Sequence, residues 1–194
     1  MQFHTLPLGP LQTNCYILPG EKGRCLVVDP GDEAAKILRF LEGKGLTLDS
    51  VLLTHGHFDH VGAVRQLAAD TDCRVFLHEK ELTLPSAMTD GPLYYTDLYP
   101  AEGSLRLAGL EIKVIPTPGH TPGGVCLLLG DALFSGDTLF AGSMGRCDFP
   151  GSNIYDMRKS LKKLWALPGD YRVFPGHAED TTLEQERKTN PYLR

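Results

Sequence analysis

The sequence predicts an α/β fold in which two β-sheets pack face to face and the helices lie on their outer sides. Short apolar runs typical of strands alternate with longer runs of helical period. The order of strands followed by helices occurs twice, once in each half of the chain. With 194 residues and a hydrophobic content of 42%, the chain is long enough for a sizeable core, and we expect one domain over residues 1–194.

In the first half, the elements follow from the spacing of the apolar residues. We expect two strands within residues 11–29, a helix over 32–42 that Asp32 opens, a strand over 51–55, a helix over 59–69, a strand over 74–78 and a short helix over 79–84. Residues 85–103 carry Pro, Gly and three tyrosines without a clear period. They predict a surface loop over or beside a functional site, and a packed connector is the alternative.

In the second half, apolar runs typical of strands dominate the first third. We expect strands within residues 104–136, a Gly-rich loop over 140–153, a helix over 154–166, a strand over 171–174 and a terminal helix near 181–189. The repeated order of elements favours two sheets with helices outside.

The segment from Thr54 to His60, with the sequence THGHFDH, places four potential metal ligands directly after an apolar run. His55 and His57 lie two residues apart, so in an extended chain they share one face and can bind one ion. Asp59 and His60 follow where the pattern becomes helical, so their side chains diverge from the first pair and can hold a second ion. The motif therefore predicts ligands for two metals, whereas a histidine-rich turn without function is the alternative.

Three more candidate ligands occupy the same kind of position, after a predicted strand. His120, Asp137 and His177 each follow such a strand through a Gly or Pro-Gly turn. Glycine and proline let the backbone turn sharply there and hold a ligand rigidly at the strand end. His4 and His78 match no ligand position, and we expect them to be structural.

With these motifs in place, the chain resembles metallo-β-lactamase-fold hydrolases of the glyoxalase II-like group. The resemblance runs from residues 14–16 (NCY) and 27–31 (VVDPG) through THGHFDH to 175–177 (PGH) and 190–193 (NPYL). It implies an αββα sandwich with metals at one edge. It also implies the ligand sets, which are His55, His57 and His120 for the first metal, Asp59, His60 and His177 for the second, and Asp137 as the bridge.

Imidazole and carboxylate ligands without thiolate suit two divalent metal ions, with zinc favoured and iron or manganese compatible. The resemblance implies hydrolysis of a thioester such as S-lactoylglutathione by a hydroxide that the two ions share. Asp59 would also orient this hydroxide and accept its proton. Asp29 is the candidate that fixes a ligand imidazole, with a turn or capping aspartate as the alternative. Thr54 and Thr121 are weaker candidates for that role.

Residues that contact the substrate are expected in the Gly-rich loop and in the tyrosine segment. In glyoxalase II-like enzymes the loop after the bridging aspartate carries a basic residue that contacts glutathione, and Arg146 stands in that place. The alternative is that Arg146 pairs with Asp148 and shapes the loop. Tyr95, or its neighbour Tyr94, is expected to close over the substrate. The chain ends at Arg194 without a counterpart of the C-terminal helical domain that grips glutathione in full-length glyoxalase II, so the thiol carrier stays open.

Charge and composition exclude several kinds of partner. A net charge of -5 without any Lys/Arg run argues against nucleic acid, which needs a basic stripe. The first residues (MQFHTL) do not form a signal peptide and no window approaches a membrane span, so we expect a cytoplasmic protein without a membrane partner. Five cysteines without a C-x-x-C pair suit a reducing compartment, and a nucleophilic Cys147 is a minor alternative. The sequence does not distinguish a monomer from a dimer.

Other chemistries compete with thioester hydrolysis. Persulfide dioxygenases resemble this chain closely but hold one iron, through the residues that match His55, His120 and Asp137. Zinc β-lactamases of the main group place a cysteine where this chain has Asp137, so a β-lactamase is disfavoured. A noncatalytic metal-binding module would be favoured by lost ligands, and all seven ligands are present.

Overall fold

Two six-stranded β-sheets form the centre of the fold in the computed structural model, which describes residues 2–100 and 103–193. The first sheet holds its strands in chain order: β1 (His4–Leu8), β2 (Thr13–Pro19), β3 (Arg24–Val28), β4 (Thr47–Leu52), β5 (Arg74–Leu77) and β6 (Asp97–Leu98). Strands β1 to β3 pair antiparallel, and β3 to β6 pair parallel. The parallel strands therefore end at one common edge of this sheet.

The second sheet begins with an antiparallel meander. Its strands are β7 (Ser104–Leu107), β8 (Leu110–Pro116), β9 (Val125–Leu129) and β10 (Ala132–Gly136), then β13 (Arg172–Pro175) and β14 (Thr181–Thr182), with a separate hairpin of β11 (Leu139–Phe140) and β12 (Ser143–Met144) between them in the chain. Strand β13 pairs parallel with β10, so both strands point the same way. The residues that follow β10 and β13 consequently meet at one edge.

The helices lie on the outer faces of the sheets. They are α1 (Ala34–Lys44), α2 (Phe58–Val61), α3 (Val64–Thr71), α4 (Ser86–Thr89), α5 (Ile154–Trp165) and α6 (Leu183–Thr189), and 3-10 turns occupy Glu21–Gly23 and Glu79–Thr83. Apolar residues of α1 and α3 pack with the outer face of the first sheet. Those of α5 and α6 pack with the outer face of the second sheet.

The alternation of side chains along β2 shows how the layers form. Ile17 faces the α1 and α3 layer, whereas its neighbours Tyr16 and Leu18 face the second sheet. Between the sheets, Tyr16 meets Phe134 at a ring-centroid distance of 5.0 Å and Phe174 at 6.0 Å. Both faces of the first sheet are thus buried, and the predicted αββα sandwich is confirmed.

Helix α5 shows why the sequence prediction succeeds for a long amphipathic segment. The Asn153 side chain accepts hydrogen bonds from the backbone N–H groups of Tyr155 at 2.9 Å and Asp156 at 3.2 Å, which satisfies two donors that the first turn leaves free. Such a cap contributes about 1 kcal/mol. The buried Met157 and Leu161 lie four residues apart and turn the same face toward the sheet.

Several predicted boundaries are wrong in the first half. The strand expected over 51–55 is β4, which ends at Leu52, three residues before His55. The helix expected over 32–42 begins at Ala34, because Glu33 has a left-handed φ of 52° and the Asp32 carboxylate accepts from the Glu33 N–H at 2.6 Å instead of capping the helix. Strand β1 lies before the first predicted strand.

Two further predictions are corrected by close packing. The helix expected over 59–69 is divided into α2 and α3, and a Cβ at Gly62 between them would lie 2.3 Å from the Gly31 carbonyl oxygen. The segment 85–103 is not simply a surface loop, because it contains α4 and β6 and because the buried Tyr99 donates its hydroxyl to the Leu53 carbonyl at 3.2 Å. Positions 101 and 102 of that segment lie outside the described residues.

No helix among the described residues has the length and hydropathy that a membrane crossing requires.

Candidate metal centre

The ends of four strands bring the candidate ligands to one edge of the sandwich. His55 follows β4, His120 follows β8, Asp137 follows β10 and His177 follows β13, while Asp59 and His60 belong to α2. The packing leaves no room for a side chain at Gly176, since a Cβ there would lie 2.4 Å from Asp137 Oδ1 and 2.6 Å from His60 Cε1. Glycine at this position is what allows the two ligand-bearing segments to approach each other.

The first ligand group consists of His55, His57 and His120. All three side chains are buried, and one ligand atom from each lies within 4.8 Å of the others. Their Nε2 atoms are buried without a hydrogen-bond partner among the described residues. Burying an unpaired polar atom costs free energy. The three unpaired nitrogen atoms converge on one point, where a cation would satisfy all of them.

The second ligand group consists of Asp59, His60 and His177. His177 Nε2 lies 3.1 Å from Asp59 Oδ2, and His60 Nε2 lies 3.7 Å from the same oxygen. The two imidazole Nε2 atoms lie 3.3 Å apart. Two nitrogens and one carboxylate oxygen thus face a common point, as they would around a metal ion.

Asp137 lies between the two groups. Its Oδ2 is 3.4 Å from His120 Nε2 in the first group and 3.7 Å from His177 Nε2 in the second. Its Oδ1 is 3.5 Å from His60 Nε2 and is buried without a hydrogen bond among the described residues. This carboxylate is therefore placed to contact ions in both groups.

Four of the five ligand histidines have their Nδ1 atom held by a partner outside the ligand groups. His120 Nδ1 lies 2.8 Å from the Arg146 carbonyl oxygen, and His177 Nδ1 lies 3.3 Å from the Leu11 carbonyl oxygen. A carbonyl only accepts, so each Nδ1 carries a proton and each Nε2 is left to bind a metal. In the metal-free protein, His177 Nε2 donates to Asp59 instead.

Asp29 anchors two more rings, that of His60 directly and that of His55 through Thr54. Its Oδ2 lies 3.0 Å from His60 Nδ1 and accepts the Thr54 hydroxyl at 2.5 Å, and its Oδ1 accepts the Thr54 N–H at 2.7 Å. Because the Thr54 hydroxyl proton goes to Asp29, the hydroxyl oxygen accepts from His55 Nδ1 at 3.1 Å. Asp29 is almost fully buried with a left-handed φ of 49°, so it is placed in contact with a ligand histidine rather than at the start of a helix.

The pKa values of the histidines differ between the two ligand groups. Burial, reinforced by the neighbouring imidazoles, lowers the pKa of His57 to about 3 and lowers that of His55 as well. Burial also acts to lower the pKa of His60, but the carboxylates of Asp137 and Asp29 overcome it and raise the value to about 9. The first group is therefore neutral at pH 7 and ready to bind a cation, whereas His60 is protonated until a metal replaces its proton.

Glu81 is a residue of the site that the sequence analysis missed. It is fully buried beneath the first ligand group, where Oε2 accepts the Gly56 N–H at 2.6 Å and Oε1 accepts the Gly123 N–H at 2.6 Å. Gly56 lies within the THGHFDH motif and Gly123 follows His120, so one carboxylate joins two ligand loops. No feature of the sequence distinguishes Glu81 from the exposed Glu79 two residues earlier.

The substrate-binding candidates Arg146, Tyr94 and Tyr95 lie in different surroundings. Arg146 donates to Asp148 through Nε at 2.9 Å and Nη2 at 2.8 Å, which is the ion pair of the alternative interpretation, and its guanidinium lies 4.1 Å from the Phe149 ring centroid. Tyr94 lines a cavity of about 620 Å³ that reaches Asp59, whereas Tyr95 is exposed and does not line it.

The other histidines and Cys147 take no part in the ligand groups that the described residues form. The His4 ring packs edge-on against Phe40 at a centroid distance of 5.1 Å. His78 caps the 3-10 turn at Glu79–Thr83 by accepting from the Lys80 N–H at 3.2 Å. Cys147 is half-buried, and burial raises the pKa of its thiol, which disfavours the thiolate that a nucleophile needs.

Comparison with known proteins relates this geometry to a family. The model of the metallo-beta-lactamase superfamily matches residues 8–177. Hydroxyacylglutathione hydrolase GloC of Haemophilus influenzae is 33% identical, over 100% of this chain and 98% of GloC. The structure of the BLEG-1 B3 metallo-beta-lactamase superposes with a TM-score of 0.89 at 37% identity, covering 99% of each chain. TTHA1623 in a di-iron-bound form superposes with a TM-score of 0.85 at 40% identity, covering 97% of this chain and 99% of that one.

Proposed function

Because the chain belongs to the metallo-beta-lactamase superfamily, we propose that its seven converging side chains hold two divalent metal ions and hydrolyse a thioester. The observation that carries the proposal is the pair of three-residue groups with the Asp137 carboxylate between them. The orphaned imidazole nitrogens of the first group fit a cation. Zinc is the ion we favour, and the di-iron form of TTHA1623 supports iron as a second choice.

Two ions held in this way supply a water of lowered pKa and polarise a carbonyl oxygen. The chain itself orients the reacting groups. Asp59 is held through Oδ2 by His177 at 3.1 Å and by the Thr13 hydroxyl at 3.3 Å. Burial opposes the ionised form of Asp59, but the hydrogen bond from His177 and the charge of His60 hold its pKa well below the usual range. Asp59 is therefore ionised and placed to orient the attacking water, whereas its lowered pKa makes it a weak proton acceptor.

A thioester is the substrate class we favour because GloC is a hydroxyacylglutathione hydrolase by name and is similar along its whole length. Glutathione carries carboxylates, and Arg146 offers the planar guanidinium that binds a carboxylate through two hydrogen bonds. In the structure that guanidinium pairs with Asp148, and the two side chains are 65% and 66% exposed. An exposed pair of this kind is weak, so a substrate carboxylate can replace Asp148 at little cost.

The test is a paired measurement of metal content and activity on the purified protein. We expect about two metal ions per chain and hydrolysis of S-lactoylglutathione. Oxygen uptake on glutathione persulfide and hydrolysis of a β-lactam are assayed beside it. One iron per chain with oxygen uptake would replace the proposal by a persulfide dioxygenase, and β-lactam cleavage without thioester cleavage would replace it by a β-lactamase.

His57→Ala provides the matched variant. It removes a ligand of the first group, so metal content and thioester hydrolysis should fall together. His4→Ala is the control, because it removes an imidazole that lies outside the ligand groups and packs on Phe40. Full activity in His57→Ala with reduced metal content would separate the reaction from the first group and refute the proposal.

A further inference from the structure

A cavity of about 620 Å³ opens beside the second ligand group. Four segments form its wall: the turn between β1 and β2, the loop between β3 and α1, the α2–α3 region, and residues 89–94. Asp59 and Thr13 belong to the wall, so the cavity is continuous with the carboxylate that we assign to the attacking water. A volume of this size is typical of pockets that bury an organic ligand.

The wall that faces the cavity is mainly apolar. Leu11, Phe58 and Tyr94 line it and keep 54%, 46% and 36% of their surface exposed. Val61 and Leu93 line it as well and are half-buried. Large apolar side chains that stay exposed around one concavity indicate a surface that an apolar group covers.

The charged residues of the cavity disfavour an anionic occupant. Asp32 and Asp90 are exposed carboxylates in its wall, and both would repel an anion. The single basic residue of the wall is Arg65, which already donates through Nη2 to the Pro92 carbonyl and stacks its guanidinium 5.6 Å from the Tyr94 ring centroid. An uncharged aliphatic or aromatic group fits this wall better than a peptide carboxylate does.

The surroundings of the first ligand group differ from the apolar cavity. The Phe149 ring lies 5.8 Å from the His57 ring and 5.9 Å from the His120 ring, and Arg146 stacks on Phe149. An aromatic surface that carries the Arg146–Asp148 ion pair thus borders the first ligand group, and the apolar cavity borders the second. A substrate that spans both groups has one end in each environment.

We propose that this cavity binds the acyl group of the thioester and makes the enzyme selective for longer acyl chains over acetyl. The inference rests on the proposed thioester hydrolysis. In that reaction the carbon–sulfur bond breaks, the hydroxyl group of water joins the acyl carbon, and the released thiolate takes up a proton. The acyl arm enters the apolar cavity, and the thiol carrier with its carboxylates lies along Arg146.

The test holds the thiol constant and lengthens the acyl chain. Hydrolysis of S-acetyl-, S-butanoyl- and S-hexanoyl-glutathione is measured as kcat/KM. Each methylene that enters an apolar site raises kcat/KM about fourfold, so the series should rise steadily toward hexanoyl. The same proteins are titrated with acetate, butanoate and hexanoate by calorimetry, because these products report on the cavity without turnover.

Leu11→Asp is the diagnostic variant. It places a carboxylate in the apolar wall and leaves the Leu11 carbonyl, which accepts from His177 Nδ1, in place. The increase of kcat/KM with chain length should disappear. Leu98→Asp is the matched control, since it introduces the same charge at a leucine of similar exposure, 43% against 54%, outside the cavity wall. The control should retain the chain-length series.

The outcomes distinguish failure of the acyl cavity from failure of thioester hydrolysis. Thioester hydrolysis without dependence on chain length in the unmodified protein would overturn the acyl cavity and leave the thioesterase standing. A chain-length series that Leu11→Asp retains would also overturn it. If no thioester is hydrolysed, the thioesterase fails. In that case, tighter binding of the longer carboxylates, lost in Leu11→Asp, would still support an apolar site, and equal affinities would overturn both.

Discussion

Replacing Glu81 by Gln tests whether a buried carboxylate behind the ligands sets the geometry of the first group. Glu81 accepts from Gly56 and Gly123, each at 2.6 Å, and thereby ties the THGHFDH motif to the loop that carries His120. The amide of Gln has nearly the same shape but only one oxygen. One of the two backbone N–H groups must then face an NH2 group and lose its acceptor.

The cost follows from the two hydrogen bonds. An unsatisfied buried donor costs about 1–3 kcal/mol, and exchanging a charged acceptor for a neutral one weakens the bond that remains. Burial raises the pKa of Glu81, so removing its charge recovers part of this loss. We expect a net destabilisation of about 2 kcal/mol, which is a substantial part of an ordinary stability of about 5–15 kcal/mol.

Two measurements detect this change. Urea unfolding of the metal-free protein should show a midpoint lower by roughly 1 M, given a slope of about 2 kcal/mol per molar. Competition with a chelator should show metal affinity at the first group reduced about 10- to 100-fold, as for other residues that support ligands. Glu79→Gln is the control, because Glu79 is exposed in the same 3-10 turn and makes neither contact.

The affinity of the second group provides the refutation. Asp59, His60 and His177 do not contact Glu81, so their ion should be bound as before. Equal weakening of both ions would show that Glu81→Gln loosens the whole edge of the sandwich. Unchanged affinity at the first group would show that the two loops hold their shape without this carboxylate.

Four more outcomes follow from the same geometry. Asn tolerates the left-handed backbone at position 29, so Asp29→Asn should loosen His60 and weaken metal binding about 10-fold or more. An unchanged metal content of the variant, measured at a limiting metal concentration, would contradict this. The pKa of His60 is raised to about 9 and that of His177 is raised too, so metal binding to the second group at pH 7.5 should release protons. Calorimetry in buffers of different ionisation enthalpy measures this release and should show little of it at the first group. Equal proton release at the two groups would contradict the assignment. In the metal-free protein, the raised pKa of His60 means that this residue stabilises the fold fully below its ordinary pKa and that the stabilisation is lost as the pH rises through about 9. Urea unfolding midpoints measured across that pH range would show the loss. Arg146→Ala should raise KM for an anionic thioester with little change in kcat, and unchanged kinetics would remove Arg146 from the binding site.

The candidate ligand residues that the sequence predicts come together in the structure because each follows a simple local rule. A strand end, a Gly or Pro-Gly turn and a ligating side chain occur together at His120, Asp137 and His177, and the strand order brings these turns to one edge. Helix α5 is predicted almost to the residue because its apolar period and its Asn153 cap agree. Where local pattern and tertiary contact point the same way, sequence reasoning suffices.

The failures arise where a tertiary contact decides. Strand β6 has two residues, too few for a period, and exists because β5 offers it a parallel partner. Helix α1 starts late because Glu33 adopts a left-handed backbone. Glu81 has no sequence signal because its role depends on two backbone N–H groups, at Gly56 and Gly123, from distant parts of the chain.

Two of the ligand rings are tied to the main chain of the segments that carry the proposed substrate-contacting side chains. The Arg146 carbonyl holds the His120 ring, and the Leu11 carbonyl holds the His177 ring. These backbone contacts place the Gly-rich loop and the β1–β2 turn relative to the ligands, whereas the side chains at both positions point into exposed surroundings. Under the proposed function, substitutions at positions 11 and 146 should therefore change which substrate binds while each imidazole keeps its hydrogen bond. The ligand set and the specificity of the site are thus separable in this fold, and that separation is what makes the single-residue tests of substrate choice interpretable.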